Sequence, residues 1–160
     1  MQNIKKAKPK HKIGWKDKID FLDFGFTNVP VKVDTGANTS ALHCSKIELV
    51  KKYRKQYVKF TPLDESFEGF EGKEFTLPFH KEKTIKNSFG QEENRYVVQT
   101  KVLMFGKKYD IELSLANRSN LEFPVLLGRR FLRRKCIVDV SKSDLSYKRK
   151  TAGQKEEHSA

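Results

Sequence analysis

A chain of 160 residues has room for one domain of ordinary size and excludes two. Hydrophobic residues make up 37% and charged residues 33%, yet 12 Phe, 5 Tyr and one Trp supply enough apolar area for a modest core. Thirty-three Lys and Arg against 20 Asp and Glu give a net charge of +13, which favours an acidic partner: nucleic acid, an acidic peptide or an anionic membrane surface.

Two cysteines, Cys44 and Cys136, are too few for a disulfide scaffold or a four-thiolate zinc site, so a reducing, cytoplasmic setting is expected. The basic N-terminus lacks the apolar stretch of a signal peptide. No window approaches the ~18 apolar residues of a membrane span, so no membrane partner is expected.

In chain order, residues 1–12 hold five lysines and no acid and read as a flexible basic arm. Ile19–Phe26 is an apolar strand, punctuated by Gly25 and Asn28 before a second strand that ends at Asp34. Pro30 restricts that second strand to an edge or a beginning. Glu48–Val58 is ambiguous, because Val50, Tyr53 and Tyr57 make only a partial stripe at helical spacing. Further strands are expected at Gln56–Phe60, Glu74–Phe79, Arg95–Phe105, Lys108–Leu115 and Cys136–Val140, with a hairpin turn at Phe105-Gly106-Lys107. A short helix is expected near 128–134, after Pro124 and an apolar run. Residues 148–160 read as a flexible tail. The whole is an all-β domain over 13–147.

The most informative stretch is Val29 to Ala37, an extended segment that delivers Asp34 to a Thr35-Gly36 turn. Asp-Thr-Gly at the end of an apolar strand is how pepsin-like and retroviral-type aspartic peptidases present their carboxylate. Glycine permits the tight turn and leaves room for water and substrate, while threonine can brace it. An ordinary turn after a strand is the bland reading of the tripeptide alone. A second element, Phe123 to Leu132 with Leu126-Leu127-Gly128 before the short helix, matches the partner that packs beneath the Asp-Thr-Gly loop in such peptidases.

Together with Ile13-Gly14-Trp15, Val31 to His43, Asn94 to Val98, Asn117-Arg118-Ser119 and Phe123 to Arg129, these segments resemble a bacterial and archaeal retropepsin-like family. That family carries the label "ATP-dependent zinc protease", and the match runs from about Ile13 to Val140. The resemblance implies a small retropepsin-like closed barrel. It also implies a role beside, or fused to, ATP-grasp ligases that add glutamate to a ribosomal protein, hence peptidase action on glutamate-rich tails. Asn38 departs from the family, which usually has Arg or a similar residue there. Neither the zinc nor the ATP of the label has support in the residues. A catalytic zinc needs about three protein ligands, and the four histidines form no His-Glu-x-x-His. No Gly-x-x-x-x-Gly-Lys phosphate loop is present. No cofactor and no metal ligand are expected.

The expected catalytic residues are Asp34, Lys32 and His43. Strand alternation puts Lys32 on the face of Asp34, where an ammonium would keep the carboxylate ionised; the alternative is a lysine reaching solvent. His43 would orient the acid or donate to substrate, or else be bound into the fold. Thr35, Gly36, Ala37, Thr39 and Ser40 form the loop. Arg95, Arg118 and Arg129 suit bidentate capture of glutamyl carboxylates. The basic runs Lys51–Lys55 and Arg133–Lys135 read as solvated faces.

The expected function is an atypical aspartic endopeptidase acting on glutamate-rich peptide, with a ribosomal protein among its expected partners. Either a homodimer pairs two Asp34 residues or Lys32 replaces the second acid. A non-catalytic basic binding module of the same fold, acting on RNA or an acidic protein segment, is the alternative.

Overall fold

A computed structural model describes residues 8–86, 89–118 and 122–158, with side chains up to residue 154 in the last segment. Residues 1–7 of the expected arm, Ser119, and 159–160 of the expected tail lie outside the described residues. The strands are β1 (His11–Ile13), β2 (Lys16–Phe21), β3 (Phe26–Val33), β4 (Ser40–Lys52), β5 (Lys55–Pro62), β6 (Phe75–Pro78), β7 (Lys81–Lys86), β8 (Glu92–Met104), β9 (Lys107–Ala116), β10 (Val125–Leu127) and β11 (Cys136–Val138). Two helices, α1 (Arg129–Leu132) and α2 (Leu145–His158), and a 3-10 turn at Leu22–Phe24 complete the described chain.

Alternation builds the large sheet. Along β3, Val29 and Val31 are fully buried while Asn28 and Pro30 are half-buried and Lys32 faces water. The sheet runs β10-β3-β2-β8-β9-β4-β5-β6, with β7 added to β8. The three-residue strand β10 pairs twice, parallel to β3 and antiparallel to β4. The pairings from β10 through β3, β2, β8, β9 and β4 therefore return to β10. Phe21, Leu42, Val98, Leu113 and Leu127 are among the buried side chains of the single core cluster, each worth roughly 1.5–3 kcal/mol of burial. Pro30 sits opposite Lys18 of β2, and β10 faces only Val31–Val33, so at Pro30 the strand has a neighbour on one side only.

Several expectations change. Glu48–Val58 is a β-hairpin: Leu49 pairs with Val58 and Val50 with Tyr57 around a Tyr53-Arg54 turn. Strand β7, which the sequence did not show, has only Lys81, Lys83 and Ile85 half-buried. The helix near 128–134 is a single turn, α1, closed by the Arg133 N–H on Arg129 O. The basic arm ends earlier than residue 12, because His11 and Lys12 pair with Cys136 and Ile137 and the His11 ring stacks on Phe105 at 4.5 Å.

The 148–160 tail is helical through His158, as part of α2. Its anchors are two buried carboxylates of β2. Asp17 accepts the Ser146 and Tyr147 amides at 2.9 and 3.1 Å, and Asp20 accepts Lys150 at 2.9 and 3.0 Å. Burial raises the Asp17 carboxyl above its ordinary value, against those amides.

The β10 strand leads into Gly128, whose place in the sheet allows no side chain. A Cβ there would lie 2.8 Å from the Thr39 carbonyl carbon and 2.9 Å from Asn38 O. Gly128→Ala should therefore lower the unfolding free energy by about 1–3 kcal/mol in urea titrations. An unchanged midpoint would contradict this packing.

Candidate active site

Two elements present Asp34. The end of β3 is held on both sides, by Val33 N–H on Trp15 O and Asp34 N–H on Leu127 O, each at 2.9 Å. The chain then turns back. Asp34 Oδ1 accepts the amides of Gly36 at 3.0 Å and Ala37 at 3.2 Å, and a Cβ on Gly36 would crowd that oxygen at 3.2 Å. Among the described residues no side chain bonds Oδ2.

The start of α1 grips the same loop. Arg129 N–H donates to Ala37 O at 2.8 Å and Arg130 N–H to Asn38 O at 3.0 Å. The Arg129 guanidinium donates to Thr35 O at 2.9 Å. Gly128 N–H donates to the buried Ser40 hydroxyl at 3.0 Å. Thr39 accepts Lys83 Nζ from β7. Thr35, Ala37, Thr39 and Ser40 thus all brace the loop, two through carbonyls and two through hydroxyls.

Lys32 is exposed, faces Lys16 and Leu126 across the sheet, and makes no ion pair with Asp34 among the described residues. Alternation put it on the right side of the strand, but nothing folds its long chain toward the acid. Arg118 instead interacts electrostatically with Asp34. Burial and the nearby Arg95 lower the Arg118 pKa, and Asp34 works against both. Among the described residues the Nε atoms of Arg95 and Arg118 are buried without a hydrogen-bond partner, and Arg95 reaches Glu93 at 3.2 Å.

Arg118 thus lies within electrostatic range of both Arg95 and Asp34, while the Arg129 side chain bonds the loop at Thr35 O. Burial, Lys81 and Arg130 lower the Lys83 pKa. Burial alone would raise Glu112, yet Lys81, Arg130 and His80 hold it below its ordinary value. Two clefts flank the loop. One, of about 570 Å³, includes Thr39, Ser40, Glu112 and Arg130; the other, of about 470 Å³, includes Thr35, Asn38, Arg129, Arg130 and Arg133. Among the described residues no group of three or more His, Cys, Asp or Glu is placed to hold a metal ion.

His43 is buried, and among the described residues its ring bonds Asp64 and the Arg118 backbone. Its Nε2 lies 2.7 Å from Asp64 Oδ2, and its Nδ1 accepts the Arg118 backbone N–H at 2.7 Å. An acceptor at Nδ1 puts the ring proton on Nε2, donated to Asp64. Both nitrogens are engaged, and what they position is the Arg118 backbone. Asp64, Lys83, Arg130 and Glu112 were missed in the sequence. Only Asp64-Glu65-Ser66 carried a local cue, since Asp64 Oδ1 accepts the Ser66 amide two residues on, at 2.8 Å.

A strand that delivers Asp-Thr-Gly, backed by a short strand, a glycine and a helical turn that bond the loop from beneath, defines a retropepsin-like domain. Residues 13–149 match the RimB-like family, described as "Retropepsin-like aspartic endopeptidase RimB", and the chain belongs to that family. A "Probable alpha-L-glutamate ligase" of Desulfotalea psychrophila is 31% identical over 127 residues, 79% of this chain and 27% of the ligase. One of Shewanella pealeana is 31% identical over 82% of this chain and 29% of its own length. The chain thus spans less than a third of the curated relatives it matches. The fold is shared with a Legionella pneumophila protein of unknown function, at a TM-score of 0.69 and 23% identity, covering 86% of this chain and 99% of that one.

His43→Ala should cost about 2–4 kcal/mol of stability through two lost buried hydrogen bonds, whereas Lys32→Met should stay within about 0.5 kcal/mol. Denaturant titration of both variants checks the pair. The Ser66 hydroxyl and amide, helped by His43, lower the Asp64 pKa below its ordinary 3.8. Its contribution is therefore present above that value and lost as pH falls through the depressed one, so Asp64→Asn should flatten the acid limb of the stability curve.

Proposed function

We propose that the chain is a cytoplasmic aspartic-type endopeptidase of closed-barrel retropepsin fold that hydrolyses peptide bonds in glutamate-rich tails, such as those a glutamate ligase adds to a ribosomal protein. The carrying observation is Asp34, pinned through Oδ1 by two amides and within electrostatic range of the half-buried Arg118. The family description supports the reaction class, and the glutamate ligases that contain a similar segment support the substrate class. The returning strand pairings support the barrel, and two free thiols suit a reducing compartment.

In this reading Asp34 takes a proton from water as the oxygen adds to the peptide carbonyl. Arg118, rather than Lys32, stabilises the oxyanion. Asp34 then returns the proton to the leaving nitrogen. Arg95 and Lys83, on neighbouring strands, receive the side-chain carboxylates of the substrate. One chain completes this cycle. A homodimer that paired two Asp34 residues would do so differently, through a shared proton.

Asp34→Asn should reduce cleavage of an oligoglutamate-tailed peptide about 10²–10⁴-fold without unfolding the domain. Arg118→Ala should reduce kcat/KM about 10²-fold. A Gln tail should be cut more slowly than a Glu tail, with the gap narrowing as salt rises. Chelator should leave the rate unchanged, as should dilution of the enzyme. Undiminished cleavage by Asp34→Asn would overturn the assignment, and activity lost on dilution would favour the paired-acid dimer.

A further inference from the structure

The β4–β5 hairpin ends in Lys51-Lys52-Tyr53-Arg54-Lys55, all exposed, with Tyr53 98% exposed. β4 carries this tip up to about 40 Å from Ser40 along the strand. Three features of the tip work against stability. Tyr53 and Arg54 hold φ of 51° and 64°, the left-handed region that a two-residue hairpin turn normally fills with Asn and Gly. Lys52 lies directly opposite Lys55, a like-charge pair across the strands. An aromatic ring is left in water. None of the four cations forms an ion pair among the described residues, whereas Lys59, further down β5, is paired with Glu74 at 3.1 Å. A stability-driven sequence would keep none of these choices, so their concentration in five residues points to a ligand.

We propose that this tip is a binding surface for single-stranded RNA, separate from the Asp34 site. Lysines and an arginine supply charge for a row of phosphates, and Tyr53 offers a face on which a base stacks. Beside the tip lies a concavity of about 540 Å³ between Lys51, Arg54, Lys55 and Gln56 on one side and Pro78 and Phe79 on the other. It gives the backbone a cationic wall and a neighbouring base an apolar one. An acidic polypeptide would use the charge and leave the isolated ring without purpose, which is why RNA is favoured.

The test is fluorescence anisotropy of a labelled 12-nucleotide oligouridine with the full chain between 50 and 200 mM salt. Replacing Lys51, Lys52, Arg54 and Lys55 by Ala should make the slope of log affinity against log salt shallower by about 3. Tyr53→Ala should weaken binding about tenfold at unchanged slope. The double variant Tyr53→Asn, Arg54→Gly guards against misfolding, because it should raise the melting temperature and still lose RNA. All variants should cut a short glutamate-tailed peptide at the wild-type rate, so the RNA result stands or falls independently of Asp34. Unchanged RNA affinity in the alanine variant would overturn the proposal. So would poly-L-glutamate that binds as tightly as RNA and loses as much with Tyr53→Ala.

Discussion

Gly128 lies against the backbone of Asn38 and Thr39 so closely that no side chain fits between them, and the rest of the site depends on that approach. Because β10 runs between β3 and β4, the strand that brings Asp34 and the strand that leaves the loop are both fixed to the same short strand. The amides that follow Gly128 then bond the carbonyls of Ala37 and Asn38. The carboxylate is thereby held by backbone geometry rather than by a second acid. Such placement costs no reorganisation when substrate arrives.

The same rigidity allows a charge arrangement that would otherwise relax. Arg95 disfavours the charge of Arg118, and among the described residues each has a buried Nε without a partner. Both costs fall when carboxylates enter. His43 fixes the Arg118 backbone: its ring bridges the Arg118 amide to Asp64 on another loop. The fold thus keeps two arginines with buried guanidinium nitrogens within electrostatic range of one another, and Asp34 within range of Arg118.

The Asp-Thr-Gly loop and its Leu-Leu-Gly partner were legible in the sequence because each is local strand-and-turn chemistry. The contacts around them were not. Alternation told which face Lys32 occupies, but only the fold brings Arg118, 84 residues later (118 minus 34), within electrostatic range of the acid. His43 takes both its partners from beyond its own strand. Helix α2 escaped notice because it has no apolar stripe and is held by Asp17 and Asp20 about 130 residues upstream. Glu48–Val58 stayed ambiguous because Tyr-Arg is not a turn pair that composition reveals.

The central claim is that a single Asp34 activates water against a glutamyl chain, although relatives containing a similar segment are named ligases. The most direct measurement is mass spectrometry of an oligoglutamate-tailed peptide incubated with the chain in H₂¹⁸O without nucleotide. The account predicts shortened tails whose new carboxylate carries one ¹⁸O. A tail left intact without nucleotide, and lengthened once ATP and glutamate are supplied, would contradict it.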